Sequence, residues 1–379
     1  MRTALQQLAD HGQSPWIHYL ARDWILDDRH GLPRLVRSGV SGAVANPAAL
    51  ATALAHTSAY DAQIRTLVPL LDDAEDIRRQ LVRVDAQQAC DLLLETAEGT
   101  RPLNGWGPMD GWVGVEVDPH CAADPAATVS QAQRLADAVA RPNLLVGITA
   151  GEAGPTAIEE ATARGLSVMA TAVYSPGRYR ETALAYRRGV ERLLNAGGDP
   201  GTVSSVASVP MSALDEKADL RLRCVGEHPE LVGTLALATA KLIRAEYLSV
   251  FSGDSWSRLA AQGATPQRCL WSSLTVTDGR QSDVRYVEEL VGPDTVALLS
   301  PHTAEAFLAG GRVRATLDLR VPAARRTLAA HVRAGVSPKM IVDALERENV
   351  RRGVEAFRDV RAVIDDKRAL LGTGAALRW

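Results

Sequence analysis

Short apolar segments alternate with longer amphipathic segments along the whole sequence. Most of the short segments are rich in Val, Leu, Ile or Thr and have Gly, Pro or Asn nearby, which is typical of buried parallel strands. The eight predicted strands are 15–20, 39–45, 112–118, 143–149, 166–173, 203–209, 268–274 and 295–300.

The longer segments carry apolar residues three and four positions apart, which is the spacing of one face of an α-helix. The clearest predicted helices are 60–98, 127–140, 176–195, 231–251 and 338–371. Proline stands just after most predicted strands, where it favours the first turn of a helix. These prolines are Pro47, Pro119, Pro155, Pro176, Pro210 and Pro301.

Eight strands that are each followed by helix predict a closed parallel (β/α)8 barrel, the TIM barrel of the α/β class. An open doubly wound sheet is the alternative, and it is disfavoured because no GxGxxG motif follows an early strand. We expect one barrel domain over residues 1–379, with 309–379 as a helical C-terminal extension packed on it. The Gly-rich segment 99–111 is predicted to be a loop before the third strand.

Composition narrows the classes of function. The chain has 379 residues, of which 46% are hydrophobic, and a net charge of -3, which disfavours nucleic acid or an anionic membrane as a partner. Its four cysteines lack metal spacing and suit reduced thiols. No apolar stretch predicts a signal peptide or a membrane span. We expect a cytoplasmic monomer or homodimer that binds a small-molecule substrate without a cofactor.

Lysine is rare in this chain. Only four of the 42 basic residues are lysines, and none of them lies within the first 216 residues. A bias in base composition explains the shortage, so it matters only where the chemistry requires an amine. A lysine Schiff base on the early strands of the barrel is excluded.

In a TIM barrel the functional groups lie at the carboxyl ends of the strands and in the loops that follow. The residues at these positions are His18, Asn46, Glu116, Gly147, Thr171, Ser208, Ser272, Ser273 and His302.

Several of these residues lie in recognisable stretches: SPWIHYLARD (14–23), GVSGAVANPA (39–48), YDAQIR (60–65), VEVDP (115–119), RPNLL (141–145), TAVYSPGRY (171–179) and SVAS (205–208). Two more are WSRLAAQGATPQRCLWSS (256–273) and YVEELVGPDTV (286–296). Together they resemble the transaldolase family in its longer bacterial form, in order and over nearly the whole chain. The resemblance implies a (β/α)8 barrel.

The resemblance also implies covalent chemistry. In this family a lysine on the fourth strand forms a Schiff base with a keto-sugar phosphate, and an aspartate on the first strand is an acid/base group. A glutamate on the third strand acts through a water held with a threonine of the fifth strand. The matching residues retained here are Glu116, Thr171, Asn46 and Ser208.

Other positions depart from the family pattern. Gly147 stands at the position of the Schiff-base lysine, and His18 at that of the strand-one aspartate. Met169 replaces an asparagine and Val44 a threonine, while Ala213 and Lys241 stand where the family has phosphate-binding arginines. A glycine cannot be a nucleophile, so ordinary transaldolase turnover is not expected.

The main hypothesis is therefore a repurposed enzyme that uses acid/base catalysis by Glu116 with His18. Its substrate is expected to be a larger or less polar carbonyl or polyol-type metabolite, such as one of specialised metabolism. The predicted catalytic residues are Glu116, His18 and Thr171. The predicted substrate-binding residues are Val44, Asn46, Gly147, Met169, Ser208, Lys241 and Ser273.

Three alternatives stay open. One alternative is a catalytically silent pseudoenzyme that serves as a binding or scaffold module. Another is a residual transaldolase that transfers dihydroxyacetone with an amine from elsewhere in the chain. His18 and Glu116 also have a plain reading as a buried structural pair. A metal site of His18 and Glu116 with His302 or Cys269 lacks any short ligand spacing, so no metal is expected.

Overall fold

The eight predicted strands form one closed parallel barrel in the order of the sequence, and the first strand pairs with the eighth. The computed structural model describes residues 2–99, 110–226, 228–276 and 281–372, so most of the predicted loop 99–111 lies outside the described residues. The strands are β1 Gln13–Ile17, β2 Gly42–Val44, β3 Trp112–Glu116, β4 Leu144–Thr149, β5 Val168–Thr171, β6 Ser205–Pro210, β7 Arg268–Ser272 and β8 Thr295–Leu299. The predicted TIM barrel is confirmed.

Helices surround the barrel and continue past its last strand. They are α1 Ala4–Asp10, α2 Arg22–Leu26, α3 Leu32–Arg37, α4 Pro47–His56, α5 Asp61–Leu67, α6 Ala74–Gly99, α7 Pro125–Val139, α8 Gly154–Ala163, α9 Pro176–Asn195, α10 Met211–Val225, α11 Leu235–Val250, α12 Gly253–Ala260, α13 Arg285–Glu289, α14 Pro301–Gly310, α15 Val321–Arg333 and α16 Pro338–Gly372. None of the helices in the described part of the chain is both long and apolar enough to cross a membrane.

The prediction of one continuous helix over 60–98 is wrong, because α5 and α6 are separate. Pro69 follows α5, and because proline has no backbone N–H it cannot continue the helical hydrogen bonds. The Asp73 carboxylate then accepts a hydrogen bond from the Glu75 backbone N–H at 2.9 Å, as a capping side chain does at the start of a helix. The apolar period continues across both helices and hides the break.

Large side chains fill the barrel interior by lying against glycines. Trp16, Val44 and Met169 belong to one buried cluster inside the barrel. A Cβ atom at Gly42 would lie 2.6 Å from the Trp16 indole, and one at Gly114 would lie 3.1 Å from both Met169 and Val44. The interior below the strand ends is therefore a packed core, and the open space lies at the strand ends and around them.

The long helix α16 runs along the face where the strands end. The Tyr174 hydroxyl, just after β5, lies 3.4 Å from Asn349 Oδ1 of α16. Lys217 of α10 pairs with Glu348 at 2.6 Å, which ties α16 to the helix that follows β6. Further along, Val360 of α16 packs in a buried cluster with side chains of α4, α5 and α6. The helix thus borders the site.

Candidate active site

Residues that keep the family pattern and residues that depart from it lie side by side on β3, β4 and β5. Glu116 of β3 pairs in register with Gly147 of β4, and Gly147 pairs with Met169 of β5. Neighbouring strands lie about 4.8 Å apart, so the Cα atoms of Glu116 and Met169 are about 10 Å apart. Thr171 lies two residues further toward the mouth and pairs with Thr149. Strand register alone therefore brings Glu116, Gly147, Met169 and Thr171 together.

The Glu116 side chain lies directly against Gly147. A Cβ atom at residue 147 would lie 2.8 Å from both Cα and Cγ of Glu116. Contacts this short require a shift of the β3 backbone, so the space that a side chain on β4 would need is taken by Glu116. Glycine at 147 is what permits Glu116 to lie where it does.

Burial governs the protonation of Glu116. The loss of water around its carboxyl raises its pKa to about 7. A carboxyl with this pKa is part protonated and part ionised near neutral pH. It can therefore donate and accept a proton under ordinary conditions.

His18 is the first residue after β1, and its backbone N–H donates to Leu299 O of β8 at 2.7 Å. Burial lowers the pKa of its imidazole to about 4, so the ring is neutral at pH 7. Desolvation causes the shifts of both His18 and Glu116, and no ion pair joins the two within the described residues. A buried structural pair of His18 and Glu116 would therefore not be an ion pair.

Other predicted residues take structural positions at the same end of the barrel. Asn46 begins α4, where its Oδ1 accepts a hydrogen bond from the Ala48 N–H at 3.0 Å. The Ser208 hydroxyl lies 2.9 Å from the Ser272 hydroxyl, so β6 and β7 are joined at their ends. Val44 is buried in the interior cluster.

Three further predicted residues lie on or after elements other than β3, β4 and β5. Lys241 is on α11, and its ammonium donates to Thr316 O at 2.8 Å and Leu317 O at 3.3 Å. Ser273 is exposed just after β7, with a φ of 50°. His302 is exposed in the first turn of α14.

All four lysines lie on helices outside the barrel interior. Lys217 pairs with Glu348, and Lys241 binds the two carbonyls described above. Lys339 pairs with Asp343 at 2.6 Å, and Lys367 pairs with Asp61. Each of the four lysine amines is therefore held by a partner other than Glu116.

Two neighbouring clefts have Glu116 in their walls. The first is a solvent-open space of about 550 Å³ between the ends of β2 and β3, helices α4 and α6, and α16. Besides Glu116 its polar lining is Asn46, Arg78 and Asp85, and most of the rest is apolar, including Phe357. Sequence reasoning missed Arg78 and Phe357, because they lie on helices and no strand-end position marks them.

Metal ligands are not assembled here. Within the ranges that the structure describes, no group of three His, Cys, Asp or Glu side chains is arranged to hold a metal ion.

A TIM barrel with a titratable carboxyl at the carboxyl ends of its strands has the architecture of a barrel enzyme. Residues 20–364 match the family model described as Transaldolase/Fructose-6-phosphate aldolase. Transaldolase 1 of Streptomyces coelicolor is 37% identical over 95% of this chain and 94% of its own length. The transaldolase of Thermobifida fusca is also 37% identical, over 95% and 97%. Transaldolase 2 of Nostoc punctiforme is 32% identical over 97% and 98%.

The chain belongs to the transaldolase/fructose-6-phosphate aldolase family.

Proposed function

We propose that this protein is an enzyme that acts on a small carbonyl compound at the carboxyl ends of its barrel strands, with Glu116 as the acid/base group. The observation that carries the proposal is the position of the Glu116 carboxyl at the end of β3, against Gly147 and in the walls of two clefts, where desolvation raises its pKa to about 7. A general acid or base works best when its pKa lies near the operating pH.

His18 and Thr171 are given supporting roles. A neutral imidazole donates a hydrogen bond to a carbonyl oxygen without giving up its proton, which suits the lowered pKa of His18. The Thr171 hydroxyl, buried one pleat above the row of Glu116, holds the water or the substrate hydroxyl that exchanges a proton with that carboxyl.

Two chemistries fit this site. Family membership and the relatives' names favour transaldolase activity on sugar phosphates, and these comparisons support that reading more directly than a changed chemistry. The chain's own residues favour a reaction without a Schiff base, because Gly147 lies beside Glu116 and the lysines are elsewhere. A Schiff base requires an amine at the reacting carbonyl.

The apolar lining of the first cleft supports a less polar substrate, such as one of specialised metabolism. Phe357 and Val360 of α16 contribute to this lining together with Leu50 of α4. Because α16 supplies part of the wall beside Glu116, we also propose that the C-terminal helices belong to the same functional unit as the barrel.

Borohydride trapping separates the two chemistries. The full chain is incubated with fructose 6-phosphate and borohydride, and its intact mass is measured, with the Streptomyces coelicolor transaldolase as the positive control. Without a Schiff base the mass is unchanged. A covalent adduct mapped to a lysine establishes the transaldolase reading and overturns the other.

Replacing Glu116 tests the shared part of the proposal. Glu116→Gln keeps the shape of the side chain but cannot exchange a proton, so turnover of any substrate found is expected to fall by about 10²–10⁴-fold. Glu355→Gln, on the exposed side of α16, is the matched control. Unchanged turnover in Glu116→Gln would exclude the acid/base role. Substrate binding without turnover in the unmodified protein would favour the binding-module alternative.

A further inference from the structure

The second cleft beside Glu116 lies between α6, α7 and the outer side of β3, and we call it the α6–α7 cleft. It is a solvent-open space of about 640 Å³, and its polar lining includes four arginines: Arg78, Arg79, Arg83 and Arg134. Among the residues that the structure describes, the carboxyls that line it are those of Glu116 and Asp118. The burial that raises the pKa of Glu116 to about 7 also keeps that carboxyl largely without charge below neutral pH. The cleft is therefore basic.

Two of the four arginines are neutralised by carboxylates of α6. Arg78 makes a two-bond pair with Glu75, at 2.8 Å and 2.7 Å. Arg79 pairs with Glu75 at 3.1 Å and with Asp76 at 2.9 Å. These partners fix both guanidinium groups in place along the edge of the cleft.

The other two arginines have no carboxylate partner in the described part of the chain. Arg83 makes no hydrogen bond or ion pair with any described residue, and its Nε is buried from solvent without an acceptor. Arg134, an exposed residue of α7, donates to the Ser130 hydroxyl at 3.0 Å and to no other residue within the described ranges. A buried donor without an acceptor costs free energy that an oxygen ligand recovers.

Gln131 of α7 supplies a neutral hydrogen-bond donor to the α6–α7 cleft. The Gln131 Oε1 accepts a hydrogen bond from the Asp118 N–H at 3.2 Å, so its amide oxygen is used. Its Nε2 has no acceptor among the described residues. The cleft thus combines two guanidinium groups that have no carboxylate partner among the described residues with the free amide donor of Gln131, which is a donor set that binds an oxyanion.

From these contacts we propose that the α6–α7 cleft binds the oxyanion group of a small molecule, a phosphate or a carboxylate, through Arg83, Arg134 and Gln131. The guanidinium fork of Arg83 supplies paired N–H donors, and Arg134 closes the site from α7. The site is separate from the position after β6 where Ala213 stands. Its existence does not depend on the reaction at Glu116.

Calorimetric titration of the full chain tests this site without any activity assay. The probes are inorganic phosphate and acetate at low ionic strength, because salt weakens binding at an exposed basic cleft. Binding of phosphate alone identifies a phosphoryl ligand, and binding of acetate alone a carboxylate. If the unmodified protein binds neither probe at millimolar concentration, the proposal is refuted.

Variants locate the binding. Arg83→Gln and Arg134→Gln are each expected to weaken binding by about tenfold or more, because each removes charged hydrogen bonds to the anion. The control Arg326→Gln removes an exposed arginine of α15 and tests for a general charge effect. If all three variants weaken binding equally, or none does, the cleft is not the site.

A conservative variant covers the case in which Arg83→Gln does not fold. Arg83→Lys keeps the charge but loses the planar fork, so binding is expected to be weaker than in the unmodified protein and stronger than in Arg83→Gln. Binding equal to that of the unmodified protein would show that only net charge matters and would exclude the proposed geometry.

Discussion

The pKa shifts of Glu116 and His18 have opposite signs, so the two groups make the free energy of unfolding depend on pH in opposite directions. Glu116 has an ordinary pKa of 4.5 that burial raises to about 7. The folded state therefore holds a proton between these values that the unfolded state has lost. Its contribution to stability is full below pH 4.5 and is lost as the pH rises through 7.

His18 acts in the other direction. Its ordinary pKa of 6.5 is lowered to about 4, so the unfolded state holds the extra proton between these values. Its contribution is full above pH 6.5 and is lost as the pH falls through 4. One pKa unit corresponds to about 1.4 kcal/mol, so each shift amounts to at most about 3.5 kcal/mol. In the unmodified protein the two slopes nearly cancel between pH 4.5 and 6.5.

Single variants separate the two slopes. The free energy of unfolding is measured by urea denaturation, followed by tryptophan fluorescence, in steps from pH 4 to pH 7.5. The free energy of unfolding of the unmodified protein, minus that of Glu116→Gln, is expected to fall by up to about 3 kcal/mol from pH 4.5 to 7. The same difference taken with His18→Gln is expected to rise by up to about 3 kcal/mol from pH 4 to 6.5.

The exposed control Glu355→Gln should give a nearly flat difference over the same range, since its carboxyl is on the surface. A flat difference for Glu116→Gln would mean that its carboxyl is hydrated in the folded state. Slopes of the same sign for both variants would likewise contradict burial as the common cause of the shifts.

Two further predictions concern neighbouring positions. In urea denaturation, Gly147→Ala is expected to lower the free energy of unfolding by about 1–3 kcal/mol, because the new Cβ meets Glu116. The control Gly151→Ala, whose Cβ meets open space, should change it by about 0.5 kcal/mol or less. Equal effects would show that the contact is relieved without cost. Lys241→Met is expected to cost about 1.5–3 kcal/mol by the loss of two bonds to carbonyls, against about 0.5 kcal/mol or less for the exposed Lys339→Met. KM should stay unchanged in Lys241→Met, and a tenfold rise would indicate that Lys241 binds substrate after all.

Most of the barrel was predictable because its signals are local. Each strand is a short apolar run of its own, and prolines such as Pro47 and Pro176 mark the helix starts that the structure shows. The break between α5 and α6 was missed, since the apolar period continues across it. A helix cap such as Asp73 is recognisable only once the end of the preceding helix is known.

The candidate site likewise has features that the sequence predicted and features that it could not. The predicted bounds of β3 and β4 were enough to place Glu116 and Gly147 toward the carboxyl ends of the strands, because an apolar run marks each strand in the sequence. Their direct contact was not predictable, as it depends on how closely two strands approach. The position of Lys241 was also decided by packing, because α11 presents its ammonium to carbonyls of a distant segment.

The sequence by itself determined the order of strands and helices, the family and the residue types at the strand ends, because all of these follow from local pattern. The tertiary structure alone decided the protonation of Glu116 and His18, since a pKa depends on the water that surrounding elements exclude. It alone decided that Arg83 of α6 and Arg134 of α7 line one cleft. Residues far apart in sequence become partners only when the helices that carry them pack side by side on the barrel.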